Sequence, residues 1–483
     1  MSTLNELRDA RIKKLEELKT RGINPYPSRI SLEGTQTTIA QARENMGQRT
    51  LVAGRIWSVR GHGAITFMDL RDESGKIQLL LKEEIIGTDN EIVTLIDSGD
   101  FIACAGTVTQ TKTGEVSIEV SDLQMLSKSL RPLPVEWYGL KDTEERYRKR
   151  YLDLLLNPSV RERFNIRTKI VREIRSYLDG QGYWEVETPT LQTLYGGANA
   201  KPFKTHLNAL DTDMYLRIAD ELYLKRLITG GYEKVYEICK DFRNEGIDQT
   251  HNPEFTMIEY YEAYADYQRV MTITEGLFKH LAKTVLGNTL MQVGERNIDI
   301  GHEWPRITMR AVLKERLTLD IDNETTESLT AFSQKHGIEL VGGETKGQLV
   351  FSIFDHLITP SLIEPVWIID YPRDVSPLSK QKPDEPEWVE RFEGYIGGKE
   401  ICDGWSELTD PQEQRTRFQN DTKATRKDRE EAQQVDEDFL EAMEYGMPPI
   451  GGIGIGIDRL VMFFSNTWAI KEVILYPTLK PKQ

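Results

Sequence analysis

Apolar residues recur along this chain with two different periods, and the change of period divides it. Leu4, Leu7, Ile12, Leu15 and Leu18 stand roughly three or four apart, the spacing of one helical face. This predicts a helix over 4–22, stopped by Gly22 and the Asn24-Pro25-Tyr26-Pro27 run. Between residues 51 and 126 the pattern becomes short strand-like runs: LVAGRIWSVR, AITFMDLRD, GKIQLLLK, FIACAGTVTQ and EVSIEVSDLQML. Five short strands with turns between them predict a small β-barrel, with the OB-fold the obvious candidate. Residues 127–145 are proline-punctuated and read as a linker, which places a domain boundary at 140/141. Helical spacing returns over 146–181, with Ile166, Ile170, Ile174, Tyr177 and Leu178 on one face. Residues 182–191 follow as a strand whose Pro189 suits an edge or an interface.

The most informative stretch is VYEICKDFRNEGIDQTHNPEFTMIEYYEAYADY, residues 235–267. It reads as two strands around a polar loop. Alternation puts Val235, Glu237, Cys239, Asp241, Arg243 and Glu245 on one face of the first strand. Residues 246–253 carry turn chemistry in Gly246, Asp248, Asn252 and Pro253. The return strand presents Phe255, Met257, Glu259 and Tyr261 together. Turned toward a core, such a face would need a partner for every charge. Turned toward water, it is an amphipathic hairpin with a solvated side.

Two further stretches carry candidate chemistry. In residues 390–408 (ERFEGYIGGKEICDGWSEL) Gly397-Gly398 is a two-residue hairpin signal that pairs Ile396 with Lys399 and Tyr395 with Glu400. Glu393 and Glu400 then share a face. Two facing carboxylates suit a hard cation such as Mg2+, and equally a solvated pair beside a Lys or Arg. Glu400 and Glu407 fall on opposite faces of an ideal strand, and a bulge near Gly404 is the expected remedy. In residues 451–459 (GGIGIGIDR) alternate glycines clear one strand face for a flat ligand and leave Arg459 at the junction with a helix. The pattern is neither a phosphate-binding GK[ST] loop nor a GxGxxG fingerprint. Elsewhere, Gly196-Gly197 could admit a ligand close to the backbone, and Glu221 sits in the apolar run MYLRIADELYLKRL. Residues 367–380 read as a strand entering a proline-rich loop, 268–360 show no chemical signature, and 411–440 read as a charged, exposed helix.

Composition narrows the setting. The chain has 483 residues, 39% hydrophobic and 29% charged, which fits a soluble globular protein of two or more domains. No apolar run is long enough for a membrane, and the charged N-terminus lacks a signal-peptide core. Three scattered cysteines, Cys104, Cys239 and Cys402, imply neither a disulfide framework nor a zinc cluster, and a cytoplasmic location is expected. The net charge of −16 argues against a basic coat, yet residues 1–60 hold eleven Lys/Arg against six Asp/Glu. That asymmetry fits an RNA-contacting front end or a solvated helix.

FRNEG at 242–246 with HNPEF at 251–255 closely resembles motif 2 of the class II aminoacyl-tRNA synthetases, in the form found in the lysyl enzymes. GGIGIGIDR resembles motif 3, and the helix, strand and Pro189 over about 160–191 resemble motif 1. The three occur in the family's order, the resemblance spans essentially the whole chain, and the class I signatures HIGH and KMSKS are absent. It implies an α+β fold: a catalytic domain on an antiparallel sheet, preceded by an all-β OB-fold barrel that reads the anticodon through Arg55, Phe67 and Gln78. On the barrel, a ring for stacking beside an amide for a base edge is how such folds bind single-stranded RNA.

The resemblance further implies ATP, L-lysine and lysine tRNA as substrates, Mg2+ held by Glu393 and Glu400, and a homodimer formed through motif 1. Arg243 and Arg459 are its catalytic arginines. Asn244, Glu245, His251, Asn252, Phe255, Glu400, Ile401, Gly456, Ile457 and Asp458 are its further ATP contacts. Glu221 and Glu407, with Tyr261, would hold the lysine side-chain ammonium. Gly197 and Glu259 would meet the α-amino end, with Asp403 nearby. Asp403 and Trp405 depart from the Asn and the Phe or Tyr usual in the family. The competing readings are an aspartyl or asparaginyl relative, disfavoured by the carboxylates at 221 and 407, the shorter relative that lysylates a translation factor, which lacks the barrel, and a catalytically inactive RNA-binding paralogue.

Overall fold

The computed structural model describes residues 3–87, 90–134, 140, 142–423 and 434–482. The chain divides into two compact units, Met1–Gly139 and Leu140–Gln483. Part of the linker expected at 127–145 lies outside the described residues. Among those described, no helix is long and apolar enough to cross a membrane.

In the first unit, helix α1 (Leu4–Thr20) begins with a capping box between Thr3 and Glu6. Its periodic leucines do not form one buried face: Leu15 and Leu18 are buried, but Leu4 and Leu7 are exposed. The five expected strands form β1 (Arg49–His62), β2 (Ile65–Arg71), β3 (Lys76–Lys82), β4 (Phe101–Gln110) and β5 (Val116–Ser127). They close into a barrel in the order β1-β2-β3-β5-β4. Met68, Leu70, Ile77, Leu79, Ile102, Ile118 and Val120 point inward as its core, the alternate positions of each strand facing out.

The second unit opens with three helices where one was expected: α2 (Thr143–Arg148), α3 (Arg150–Leu156) and α4 (Pro158–Gly180). The last break falls at Asn157-Pro158, where Pro takes the first helical position. The expected strand over 182–191 shrinks to β6 (Trp184–Glu185) and a separate two-residue strand at Leu191–Gln192. The hairpin is β7 (Lys234–Phe242) and β8 (Glu254–Ala263), so Arg243 and Glu245 lie just beyond its first strand. With β9 (Arg306–Thr308), β10 (Val366–Pro372), β11 (Trp388–Ile396), β12 (Lys399–Ser406) and β13 (Ile450–Gly456) these make an eight-stranded sheet. Its order is β9-β10-β11-β12-β13-β8-β7-β6, antiparallel except at its two outer pairs.

Apolar residues of α4, helix α6 (Tyr267–Leu281) and helix α9 (Ile457–Phe464) pack as one cluster with those of the sheet, including Ile174, Leu178, Leu277, Ile453 and Ile455. Helix α5 (Glu221–Thr229) packs with β8 in another cluster. The expected exposed helix over 411–440 is instead α7 (Pro411–Lys423) and α8 (Glu437–Glu444), whose Phe418, Phe439 and Leu440 are buried with α5. Residues 424–433 of that stretch lie outside the described residues. Residues 309–362 supply a core cluster under β10 and β11, including Leu313, Leu349 and Phe354.

Candidate active site

Strand register assembles the site. Glu237 pairs with Glu259, Glu259 with Gly454, Gly454 with Asp403 and Asp403 with Glu393, a single row across five strands. A neighbouring row runs Tyr261, Gly452, Trp405 and Arg391. Directly opposed residues share a face, so the row gathers carboxylates that are far apart in the chain. Gly454 keeps the middle open, since a Cβ there would stand 3.8 Å from the nearest side-chain atoms. Gly452 is different: a Cβ there would run into the Tyr261 ring and the Glu407 carboxylate.

Above this face lies a cavity of about 370 Å³. Arg243, Glu245, His251, Asn252, Phe255, Glu400, Gly456, Asp458 and Arg459 line it, as do Gly197, Glu221, Glu259, Tyr261 and Asp403. Arg243 holds the Ile218 carbonyl at 3.4 Å and stands 5.1 Å from the centre of the Phe255 ring. Arg459 donates to Glu400 at 2.8 Å. His251 is exposed and lies 2.8 Å from Asp248.

Of the expected contacts, Ile401, Ile457 and Asn244 do not present side chains to the cavity, while Asn252 and Asp458 line it and are also bonded within the protein. Ile401 and Ile457 are buried in the apolar cluster, so only their backbones are available to a ligand. Asn244 is exposed outside the cavity lining. The Asn252 amide donates to the Glu254 carbonyl at 2.6 Å and its oxygen accepts from the Thr478 N–H. Asp458 accepts from the Thr256 N–H at 2.7 Å and from Arg167 at 2.6 Å, which fixes the start of α9 against α4 and β8.

The largest surprise lies at the carboxylates expected to meet the amino acid side chain. Lys225, fully buried, pairs with Glu221 at 2.5 Å and also with Glu407. The two carboxylates expected to hold a substrate ammonium therefore already share an internal one, and Glu407 does not line the cavity. Burial raises the proton affinity of both, and Lys225 works against that rise. Glu259 is in the opposite position. Burial, reinforced by the carboxylates of Glu221 and Asp241, pushes it up to about 8. Its oxygen accepts from Tyr261 Oη at 2.8 Å.

The carboxylate of Asp403, where the family's usual residue is neutral, is taken up by Arg391 through two bonds of 2.9 Å. Burial still pushes Asp403 up to about 6. Glu393 accepts from Arg391 at 2.7 Å and from the Tyr395 hydroxyl, and burial pushes it up to about 8. The bulge that reconciles Glu400 with Glu407 exists, but at Ile401 rather than near Gly404: Tyr395 pairs with Glu400 and Gly394 with Cys402. The extra residue turns Glu400 to the face of Asp403 and Trp405 and leaves Ile401 and Cys402 in the core.

Sequence reasoning missed Lys225, Arg391 and the loop 375–379, which closes one side of the cavity. Lys225 had a signal, being four residues after Glu221 in a helical run. Arg391 and the loop had none of comparable strength.

On the barrel, Phe67 and Gln78 lie on adjacent strands and Gln78 pairs directly with Asp69. Phe67, Asp69 and Gln78 thus share the outward face. Gln78 accepts from Ser117 at 3.0 Å, which leaves its amide N–H groups to other partners. Arg55 lies opposite Arg71 on the same face, its guanidinium 4.3 Å from the Phe101 ring centre.

Comparison with known proteins agrees with this architecture. Residues 142–480 match the family model described as tRNA synthetases class II (D, K and N), and residues 50–126 match that of the OB-fold nucleic acid binding domain. The chain is 48% identical over 483 residues to a lysine–tRNA ligase of Thermoanaerobacter pseudethanolicus, covering 99% of this chain and 97% of the relative. It is 47% identical over 485 residues to that of Pelotomaculum thermopropionicum (99% and 96%) and 44% identical over 489 residues to that of Bacillus subtilis (99% and 98%).

Proposed function

Because this chain belongs to the class II tRNA synthetases of the D, K and N group, we propose that it joins L-lysine to lysine tRNA, using ATP and passing through a lysyl-adenylate. One observation carries the reading: a single cavity with Arg243, Phe255 and Arg459 in one part and Glu221, Glu259 and Tyr261 in another. The first group suits a nucleotide and the second a cationic amino acid. An aspartate side chain would meet carboxylates there.

The reacting lysine carboxylate is already a nucleophile. Its oxygen attacks the α-phosphorus, pyrophosphate leaves, and the 3′-terminal ribose hydroxyl of tRNA later attacks the carbonyl and releases AMP. Catalysis then rests on positioning and on charge offset rather than on a general base. Arg243 would hold the α-phosphate and the amino acid carboxylate. The purine would lie between Phe255 and Arg459, a ring stack with a cation–π partner. Glu245, Asn252 and the backbone around Asn244, Ile401, Gly456 and Ile457 would meet adenine and ribose, and His251 the outer phosphates.

For the substrate ammonium the geometry favours Glu259 and Tyr261, because Lys225 already offsets Glu221 and Glu407. Gly197 would face the α-amino group. Glu393 and Glu400 fit Mg2+: they are carboxylates on adjacent strands, and Asp403 and Glu400 add to the burial that raises the proton affinity of Glu393 against the pull of Arg391, a repulsion a divalent cation relieves. Bound there, Mg2+ would offset the charge of the triphosphate.

Trp184, 66% exposed on the sheet's edge strand β6, supports a homodimer through motif 1. The outward face of Arg55, Phe67 and Gln78 supports anticodon reading by the barrel. Three free, buried cysteines suit the reducing cytoplasm.

The test is ATP–pyrophosphate exchange with lysine, aspartate and asparagine supplied separately. Exchange with lysine alone is the expected result. Exchange with aspartate or asparagine would overturn the amino acid assignment, and none at all would point to an inactive paralogue.

A further inference from the structure

Beside the cavity, on the same face of the sheet as Phe255 and Met257, three potential metal ligands converge from two elements. Asp220 stands at the N-cap position of α5, and Cys239 and Asp241 are alternate residues of β7. One donor atom from each, the thiol and two carboxylate oxygens, lies within 4.8 Å of the others, and all three side chains are buried. None belongs to the cavity lining described above.

Asp220 is the telling residue. An Asp at a helix N-cap normally accepts an N–H of the first turn, yet Asp220 makes no such bond. It is fully buried, and neither carboxylate oxygen has an N–H or hydroxyl donor; the side chain within bonding reach is another acid, Glu259. Asp241 Oδ2 is likewise unpartnered. The cations nearby are already engaged. Arg217 donates to Glu237 at 2.7 Å and lies 3.5 Å from Asp241 Oδ1, the oxygen on which the Cys239 thiol also rests at 3.7 Å. Asp220 instead faces the charges of Glu259, Asp241 and Glu237, all of which oppose its ionisation on top of burial. A carboxylate with no donor, aimed into a group of acids and a thiol, is costly unless a cation or a proton joins it.

We propose that Asp220, Cys239 and Asp241 form a binding site for one divalent cation of the zinc class. The donor set favours this class over Mg2+: a thiolate with two carboxylates suits a borderline-soft ion, whereas magnesium takes oxygen ligands. In a tetrahedral site, ligand distances of about 2.0–2.3 Å place two donors of one ion roughly 3.3–3.8 Å apart, so donors now within 4.8 Å of one another close by up to about 1.5 Å on binding. On binding, Cys239 gives its proton to solvent and its sulfur bonds the metal. The ion would tie the start of α5 to β7 beside Glu259, and it is separate from the Mg2+ expected at Glu393 and Glu400. The proposal does not depend on which amino acid the cavity takes.

Cobalt(II) is the probe. The full-length protein is titrated with Co2+ in excess Mg2+, which occupies the all-oxygen site, and the thiolate-to-cobalt charge-transfer absorption is recorded. The expected result is one equivalent of Co2+ with that absorption, displaced by Zn2+. Cys239→Ser removes the band while Cys402→Ser and Cys104→Ser keep it. Asp220→Asn, checked for folding by circular dichroism, weakens Co2+ binding about tenfold or more. If Cys239→Ser does not fold, the Asp220→Asn result and zinc content by mass spectrometry of protein grown with added Zn2+ decide. No charge-transfer band, a band that survives Cys239→Ser, or affinity unchanged by Asp220→Asn overturns the site. A proton shared between Asp220 and Glu259 would then remain as the partner of Asp220.

Discussion

At the scale of single residues, the outcome turns on which buried charges have partners. Lys225 is wholly buried between Glu221 and Glu407, so Lys225→Met strands two carboxylates. A broken buried pair costs about 3–5 kcal/mol, and denaturant unfolding of the full chain should show a loss of that order. Glu259 and Glu393 give a pH signature. Each is pushed to about 8 in the folded chain from an ordinary value of 4.5. The folded state therefore holds protons that the unfolded state has released. Their contribution to stability is complete below about pH 4.5 and is lost as pH rises through 8. The melting temperature of the ligand-free protein should fall across that window, and Glu259→Gln should flatten the fall. Saturating lysine should flatten it too, since an ammonium on Glu259 favours the ionised form; an unchanged slope with lysine would argue that the substrate sits elsewhere.

At the scale of elements, β13 shows how one glycine pattern serves two ends. Gly452 is a packing glycine against Tyr261 and Glu407, while Gly454 leaves open space beneath the cavity. Gly452→Ala should lower the melting temperature. Gly454→Ala should leave it nearly unchanged and raise KM for a substrate, measured by pyrophosphate exchange. Equal losses of stability in both would refute the distinction. The bulge at Ile401 belongs to this scale as well. It alone sets Glu400 on the side of Asp403 while Ile401 and Cys402 stay in the core.

At the scale of the whole molecule, the chain is two units with separate cores. The first carries Arg55, Phe67 and Gln78, and the second the whole cavity. Deleting residues 1–139 should therefore preserve lysine-dependent pyrophosphate exchange and strongly reduce charging of tRNA. Retention of full charging would remove the barrel from the tRNA-reading role.

Local information determined much of this protein. Alternation with turn residues marked all five barrel strands, and the hairpin around 246–253, the Gly397-Gly398 turn and the glycine strand were legible because strand period and turn chemistry are short-range properties. The resemblance likewise named the charged side chains that line the cavity, Arg391 excepted. Less was legible where distant segments compete. The helix over 146–181 breaks at Lys149 and again before Pro158, the second a local signal that the apolar spacing masked, and of the strand over 182–191 only Trp184–Glu185 find a partner in β7. Of the partners of the site's buried charges, the sequence hinted only at Glu221 with Lys225, through their i,i+4 spacing. That Lys225 joins Glu221 to Glu407, that Arg391 takes Asp403, and that Asp220 faces Cys239 and Asp241 all follow from strand register and helix docking. Those are set by how the whole core packs, and beyond the Glu221–Lys225 pair no local spacing encodes them.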